Sequence, residues 1–134
     1  MANTRIGALI IALLLATPAR AACPDGMTEQ TVVELLFGRN IGARTGVSEQ
    51  AFRRFIDADV TPRFPDGFTV IDMSGQYRDT KRDRIIREPG KLILIALADE
   101  TAGMTKVREL IDTYKRRFEQ QSVGLITRRS CVSF

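Results

Sequence analysis

Two cysteines bracket almost the whole chain that follows an N-terminal apolar segment, and they restrict how that chain can fold. Cys23 comes directly after the apolar segment, and Cys131 lies three residues before the C-terminus. Two cysteines in one exported chain predict a disulfide bond. Such a bond would close a loop of about 109 residues and stabilise the fold by about 4–5 kcal/mol in the chain-entropy model. The fold must therefore bring the two ends of the chain together.

Residues 1–22 have the pattern of a signal peptide. Arg5 gives a positive start, and residues 6–16 form an apolar run too short to span a bilayer as a helix. Ala19-Arg20-Ala21 then matches the small-residue site of a signal peptidase. The alternative is a lipoprotein acylated at Cys23, but such signals usually carry an aliphatic residue where Arg20 stands. The sequence therefore favours a periplasmic or secreted protein with no membrane span after cleavage.

The charge of the mature chain argues against nucleic-acid binding. Residues 23–134 are predicted to form one domain of ordinary size. Without Arg5 and Arg20, 18 basic side chains stand against 16 acidic ones. This balance is not the basic footprint of a nucleic-acid-binding surface, and export argues against that class as well. An apolar content of 44% is enough to form a core.

Hydrophobic patterning predicts the element order strand, helix, strand, strand, helix, strand. Strands are predicted over residues 31–37, 68–78 with an irregularity at Gly75, 85–97 with an interruption near Pro89-Gly90, and from 123 towards Cys131. The segment 39–46 is predicted to be a loop. One helix begins at the N-cap Ser48 and is stopped by Pro62. The second helix carries an apolar stripe at Met104, Val107, Ile111, Tyr114 and Phe118.

This order predicts a ferredoxin-like βαββαβ sandwich of the α+β class, with an antiparallel sheet of strand order 4-1-3-2 and two helices on one face. Two independent features agree with it. The last strand lies beside the first, which brings Cys131 next to Cys23. The third strand is central, as expected for residues 92–97, which are apolar at every position.

Short segments spread over the whole mature chain together resemble the bacterial domain-of-unknown-function family 3574. The segments are Cys23-Pro24 with Gly26, Glu34-Leu35-Leu36-Phe37-Gly38-Arg39, Val60-Thr61-Pro62-Arg63-Phe64-Pro65-Asp66-Gly67, Gly75-Gln76-Tyr77-Arg78, Arg87-Glu88-Pro89 with Lys91, Tyr114-Lys115-Arg116-Arg117-Phe118, Gln121-Ser122-Val123 and Cys131-Val132-Ser133-Phe134. The resemblance implies a single domain. It implies no activity and no catalytic residue.

The residue types present exclude several kinds of chemistry. The sequence contains no histidine, so Ser-His-Asp and Cys-His catalysis and most zinc or iron sites are excluded. Gly38, Gly42 and Gly46 lack the lysine and the strand-loop-helix context of a phosphate-binding loop. We therefore predict no catalytic constellation, no metal site and no cofactor.

Five polar residues are candidates for ligand binding. Glu34 and Asp72 lie inside predicted strands, where a carboxylate is either on a solvated sheet face or in a site. Tyr77 is either a packing residue or a proton donor. Arg78 and Arg87 flank the long hairpin and are expected to approach each other across it. They form either a charge network with Asp79 and Glu88 or a cradle for an anion, and the network is the favoured interpretation.

Both faces of the predicted sheet are apolar, although two helices can cover only one. Val33, Leu35 and Phe37 lie on one face of the first strand, and Val32 and Leu36 lie on the other. An uncovered apolar face predicts a homodimer or a site for a small apolar or anionic ligand. The favoured function is thus non-enzymatic binding or self-association. The alternative is a cofactor-independent enzyme that acts on a small anionic substrate with a strand carboxylate or Tyr77 as acid or base.

Overall fold

The computed structural model describes residues 22–42 and 44–134, so nearly all of the predicted signal peptide lies outside the described residues. The elements are β1 (Thr28–Gly38), β2 (Asn40–Ile41), β3 (Arg44–Thr45), α1 (Glu49–Phe55), a π-helical turn (Ile56–Val60), β4 (Thr69–Asp79), β5 (Arg84–Leu97), α2 (Glu100–Arg117) and β6 (Gly124–Val132).

The four long strands form one antiparallel sheet with the order β4-β5-β1-β6. The α+β class, the four-stranded antiparallel sheet and the two helices are confirmed. β1 and β5 are central, as the apolar run of residues 92–97 predicted. The ferredoxin-like expectation is incomplete, because a second, two-stranded sheet of β2 and β3 stands between β1 and α1.

The prediction of a loop over residues 39–46 is wrong where β2 pairs with β3. Asn40 lies opposite Thr45, and Ile41 lies opposite Arg44. The reversal between these strands uses Gly42, which has a φ of 64°, in the left-handed region that glycine enters without steric cost. Two-residue strands are too short to show a hydrophobic period, so the pattern gave no sign of them.

The predicted interruption near Pro89-Gly90 is also wrong, because β5 runs unbroken through both residues. The last pair between β1 and β5 is Gly38 with Gly90, and the backbone amide of Arg39 donates to the Pro89 carbonyl over 3.0 Å. The missing N–H of Pro89 therefore falls where the partner strand has ended, and no ladder bond is lost. β4 likewise passes Gly75 without a break.

Both helices begin at side-chain caps. The Ser48 hydroxyl accepts a hydrogen bond from the Ala51 amide over 3.1 Å, as predicted, and the Asp99 carboxylate accepts one from Ala102 over 2.8 Å. Such caps satisfy amide groups that have no partner inside the helix. α1 passes into the π-helical turn before Pro62 ends it.

The core lies between the helices and one face of the sheet, which we call the helix face. It contains an aromatic cluster in which Phe37 of β1 packs edge-on against Phe52, Phe55 and Tyr114. Every β1 and β5 residue of the core cluster is odd-numbered, from Val33 to Leu97. Since side chains alternate across a strand, both helices pack on the same face.

We call the other side of the sheet the open face, because no helix of the described residues packs on it. Its apolar side chains are Val32 and Leu36 of β1, Leu92 and Leu94 of β5, Ile71 of β4 and Ile126 of β6. Val32 is buried by its strand neighbours although it lies outside the core cluster. β1 therefore has apolar side chains on both faces of the sheet, as predicted.

The chain ends meet at one end of the sheet. Cys23 and Cys131 form a disulfide with their Cα atoms 5.5 Å apart, which confirms the predicted pairing. Cys131 lies in β6 opposite Glu29 of β1, and Glu29 follows shortly after Cys23 in the sequence. Among the described helices, none is long and apolar enough to cross a membrane.

Candidate functional site

A groove of about 870 Å³ runs along the distal half of the β4–β5 hairpin, on the same side of the sheet as the open face. We call it the hairpin groove. Its apolar lining comes from Leu36, Met73, Tyr77 and Ile86. Its polar lining comes from the hairpin turn, from the β2 region and from the loop after α2. The volume lies within the range of sites that hold small molecules.

Glu88 is a polar residue of this groove that the fold holds in place. Its Oε1 accepts a hydrogen bond from the backbone amide of Asn40 over 2.9 Å, and the residue is partly buried. No cation among the described residues forms an ion pair with it. Space for the carboxylate comes from Gly38, where a Cβ atom would lie 2.5 Å from Oε1. The groove thus contains a carboxylate with remaining capacity to accept hydrogen bonds.

The loop after α2 forms a second wall of the groove because the helix ends in a left-handed turn. Glu119 has a φ of 52°, and the Gln120 amide returns to the Lys115 carbonyl over 3.0 Å. This bond pattern closes a helix end and reverses the chain. The Gln120 side chain then donates to the Asn40 carbonyl over 2.8 Å, which ties the loop to β2.

Cationic side chains line the end of the groove at the hairpin turn. Arg78 is paired with Asp83, and Arg82 with Asp79. The hydrogen bond from Arg82 holds the pKa of Asp79 below its usual value. Lys81 and Arg84 line the same end, and neither has a carboxylate partner within the described part of the chain. Two cations there are therefore free to meet an anion.

Arg78 and Arg87 do not form the pair expected from the sequence. Arg78 lies opposite Ile85, and Arg87 lies opposite Gln76. Arg78 is bound to Asp83 of the turn rather than to Asp79, and Arg87 does not line the groove. A local charge network was the favoured interpretation, and for Arg78 the structure shows one with different partners.

Asp72 lies on the helix face, away from the groove, and its partner is a lysine that the sequence analysis did not single out. Lys91 lies opposite Asp72 in the sheet and is buried. It donates hydrogen bonds to both Asp72 and Glu49, and Glu49 also accepts from Arg39 over 2.8 Å. The bond to Lys91 lowers the pKa of Asp72, and the same kind of bond lowers that of Glu49. Asp72 is thus held ionised, and Lys91 tethers α1 to the sheet through Glu49.

Glu34 and Tyr77 both lie on the side of the open face, but at different places. Glu34 forms an ion pair with Arg128 of β6 and has a largely buried side chain. Tyr77 is 55% exposed and lines the hairpin groove. Of the five predicted ligand residues, the structure brings only Tyr77 and Arg78 together in the groove.

The sequence analysis considered Glu88 only as a member of a charge network, and it did not consider Lys81 and Arg84 as ligand-binding residues. Glu88 stands directly before Pro89 in the sequence, and this context alone does not mark a site. Its position opposite a glycine depends on strand register, which the sequence pattern does not reveal. Groups of acidic, cysteine and histidine side chains able to hold a metal are absent from the described residues.

The family model described as "Protein of unknown function (DUF3574)" matches residues 32–134. The chain belongs to the DUF3574 family. This confirms the resemblance drawn from the sequence segments. A search of curated protein sequences found no match.

Two solved structures share the fold of this DUF3574 chain. A phage SAM lyase in complex with S-methyl-5′-thioadenosine has a TM-score of 0.60 at 15% identity, covering 89% of this chain and 97% of the lyase chain. A phage SAM lyase in the apo state has a TM-score of 0.60 at 13% identity, covering 87% and 97%. At these identities the similarity shows a shared fold over nearly the whole of both chains.

Proposed function

We propose that this DUF3574 domain is an exported binding protein that holds a small amphipathic molecule in the hairpin groove. The observation that carries the proposal is the groove itself, whose apolar lining is combined with two chemically different polar parts. Lys81 and Arg84 provide positive charge at one end, and Glu88 provides a hydrogen-bond acceptor elsewhere in the lining.

The ligand that fits this arrangement has a flat apolar body with an anionic group. The aromatic ring of Tyr77 and the side chains of Met73 and Ile86 offer contacts to the body. The unpaired cations at the turn suit a carboxylate, sulfate or phosphate. This refines the prediction of a small anionic or apolar ligand, because the cations are Lys81 and Arg84 rather than Arg78 and Arg87.

Binding is favoured over catalysis because both strand carboxylates considered as acid–base groups form ion pairs outside the groove. Asp72 is bound to Lys91, and Glu34 is bound to Arg128. A general base must reach its substrate with a free lone pair. Neither of these residues lines the groove.

A cofactor-independent enzyme is the second candidate, and Glu88 is the observation that favours it. A partly buried carboxylate without a cationic partner in a groove can accept a proton from a bound substrate. Tyr77 lines the same groove and can donate one. The shared fold with a phage SAM lyase makes SAM and S-methyl-5′-thioadenosine the first compounds to test.

The test uses anilinonaphthalene sulfonate, a fluorescent probe with a flat apolar body and one anionic group. We expect saturable binding to the purified full chain, weakened at least about tenfold by Tyr77→Ala combined with Lys81→Ala. Ile85→Ala is the matched control, since Ile85 is 53% exposed on the same hairpin but does not line the groove. Equal affinity for all three proteins would contradict the proposal.

Turnover is tested with SAM and S-methyl-5′-thioadenosine by following product formation chromatographically, with the Glu88→Gln variant as the control. Conversion by the full chain that Glu88→Gln abolishes would favour the enzyme over the binding protein. Binding without conversion would favour the binding protein.

A further inference from the structure

We propose that the open face of the sheet binds a second copy of this chain, so that two sheets pack face to face about a two-fold axis. The proposal goes beyond the hairpin groove and does not depend on a bound ligand. It starts from two side chains at opposite edges of the sheet: Ile71 of β4 is 47% exposed, and Ile126 of β6 is 48% exposed.

The central strands make this face continuously apolar. Between the two edges, Leu92 and Leu94 of β5 and Leu36 of β1 are only partly buried, and no helix within the described residues packs over them. Exposed apolar surface of this extent favours association. Inner faces of two packed sheets have the same alternating apolar pattern and lie about 10 Å apart.

The charges on this face favour a copy of the chain over a partner of different chemistry. Between Ile71 and Ile126 the open face carries one acidic side chain, Glu34, and Arg128 neutralises it within the same chain. A neutralised apolar face offers little to an acidic or basic partner, and it does not repel a copy of itself. In a two-fold interface each copy contributes the same surface, so that surface must be complementary to itself.

The size of the face is sufficient for a reversible dimer. Four strands about 4.8 Å apart, each about seven residues long at about 3.3 Å per residue, cover roughly 440 Å² of flat area per copy. Side chains that project from the pleat raise this value, so two copies together reach about 1,000 Å², the lower limit of specific interfaces. We therefore expect a dimer that dissociates in the micromolar range.

The geometry also places the second copy next to the hairpin groove. Leu36 belongs to both the open face and the lining of the groove. A partner seated on the open face would therefore end beside the groove and limit access from that side.

Adjacent residues on opposite faces of a strand provide matched variants for the test. Val70 and Leu125 lie on the helix face, 41% and 39% exposed, directly before Ile71 and Ile126 in the chain. Sedimentation equilibrium of the disulfide-bonded full chain should give twice the monomer mass at high concentration. Ile71→Asp should weaken the dimer at least about tenfold, and Val70→Asp should leave it unchanged.

Ile126→Asp against Leu125→Asp repeats the comparison on the other edge strand, should either β4 variant fail to fold. A melting curve and the intact disulfide establish folding for each variant. A monomer at every concentration would overturn the proposal, as would a trimer or larger ring. Equal weakening by both members of each pair would show that the open face is not the interface.

Discussion

Gly38 of β1 leaves the space that the Glu88 carboxylate of β5 occupies. A Cβ atom at position 38 would lie 2.5 Å from Glu88 Oε1 and 2.8 Å from its Cδ. The Glu88 carboxylate uses that space to accept the Asn40 amide. Strand pairing, rather than sequence proximity, thus fixes a charged group in the hairpin groove.

Gly38→Ala is therefore predicted to displace the Glu88 side chain. Because the carboxylate would lose its bond from the Asn40 amide, we expect a loss of about 0.5–1.5 kcal/mol in the free energy of unfolding, measured by urea denaturation. Gly75→Ala is the matched control, since it also lines the groove but its Cβ would meet nothing closer than 3.9 Å. Equal stability of the two variants would show that Glu88 does not depend on the gap at Gly38.

The disulfide is predicted to contribute a large part of the stability. Cys23 and Cys131 are 108 residues apart in sequence, and closing a loop of that length stabilises a fold by about 4–5 kcal/mol in the chain-entropy model. We expect the Cys23→Ser/Cys131→Ser variant to unfold at a much lower urea concentration than the oxidised protein. Reduction of the wild-type chain should give the same midpoint as the variant. An unchanged midpoint, or a lipid attached to Cys23, would contradict this account.

Stability is predicted to fall in acid through the carboxylates around Lys91. The pKa values of Glu49 and Asp72 lie below their usual values of 4.5 and 3.8 because Lys91 donates a hydrogen bond to each. A lowered pKa in the folded state contributes stability above the unfolded value, and that contribution is lost as the pH falls through the folded value. Melting temperatures should therefore decline below pH about 4, and Asp72→Asn should flatten part of that decline.

A double-mutant cycle on Glu49 and Asp72 distinguishes the ion pairs around Lys91 from ordinary surface ion pairs. Lys91 is buried, and either carboxylate alone can still satisfy it. Removing both with Glu49→Gln and Asp72→Asn leaves a buried cation without a charged partner, so the double variant should lose more than the sum of the single losses. Additive losses would mean that the two carboxylates act independently on stability.

Tyr114 provides a comparison between the two tyrosines of the chain. It is fully buried, and its hydroxyl donates to the Gly38 carbonyl over 2.8 Å. Burial raises its pKa well above the usual value. Tyr114→Phe should cost about 1 kcal/mol of unfolding free energy, because the partly buried Gly38 carbonyl loses its donor. Tyr77→Phe, on the exposed hairpin, should leave stability unchanged, and equal losses would argue against the buried hydrogen bond.

The sequence predicted those parts of the fold that depend on long periodic patterns. The stripe that contains Val107 and Tyr114 placed α2, and the apolar run of residues 92–97 placed β5 at the centre of the sheet. The pairing of Cys23 with Cys131 was predicted from two cysteines in an exported chain, and the order of the elements agreed with it. Each of these signals extends over many residues or follows from topology, so small errors in strand ends did not affect it.

The candidate site was harder to predict because it depends on register. Whether Asp72 meets a ligand or Lys91 is decided by which residue of β5 lies opposite it. The role of Glu88 likewise depends on a glycine fifty residues earlier in the chain. A shift of one residue in pairing would move each side chain to the other face, and hydrophobic patterns do not locate register in a long hairpin.

Two-dimensional amide NMR spectra of the full chain, recorded during titration with anilinonaphthalene sulfonate, locate the bound probe residue by residue. We expect chemical-shift changes to concentrate at the backbone amides of residues that line the hairpin groove, such as Asn40, Gly75 and Gly124, and to saturate together. The chemical shifts of amides in α1 and α2, which pack on the helix face, should not change. Shifts confined to β4 and β6 around Ile71 and Ile126, or no saturable shifts at all, would contradict the groove as the binding site.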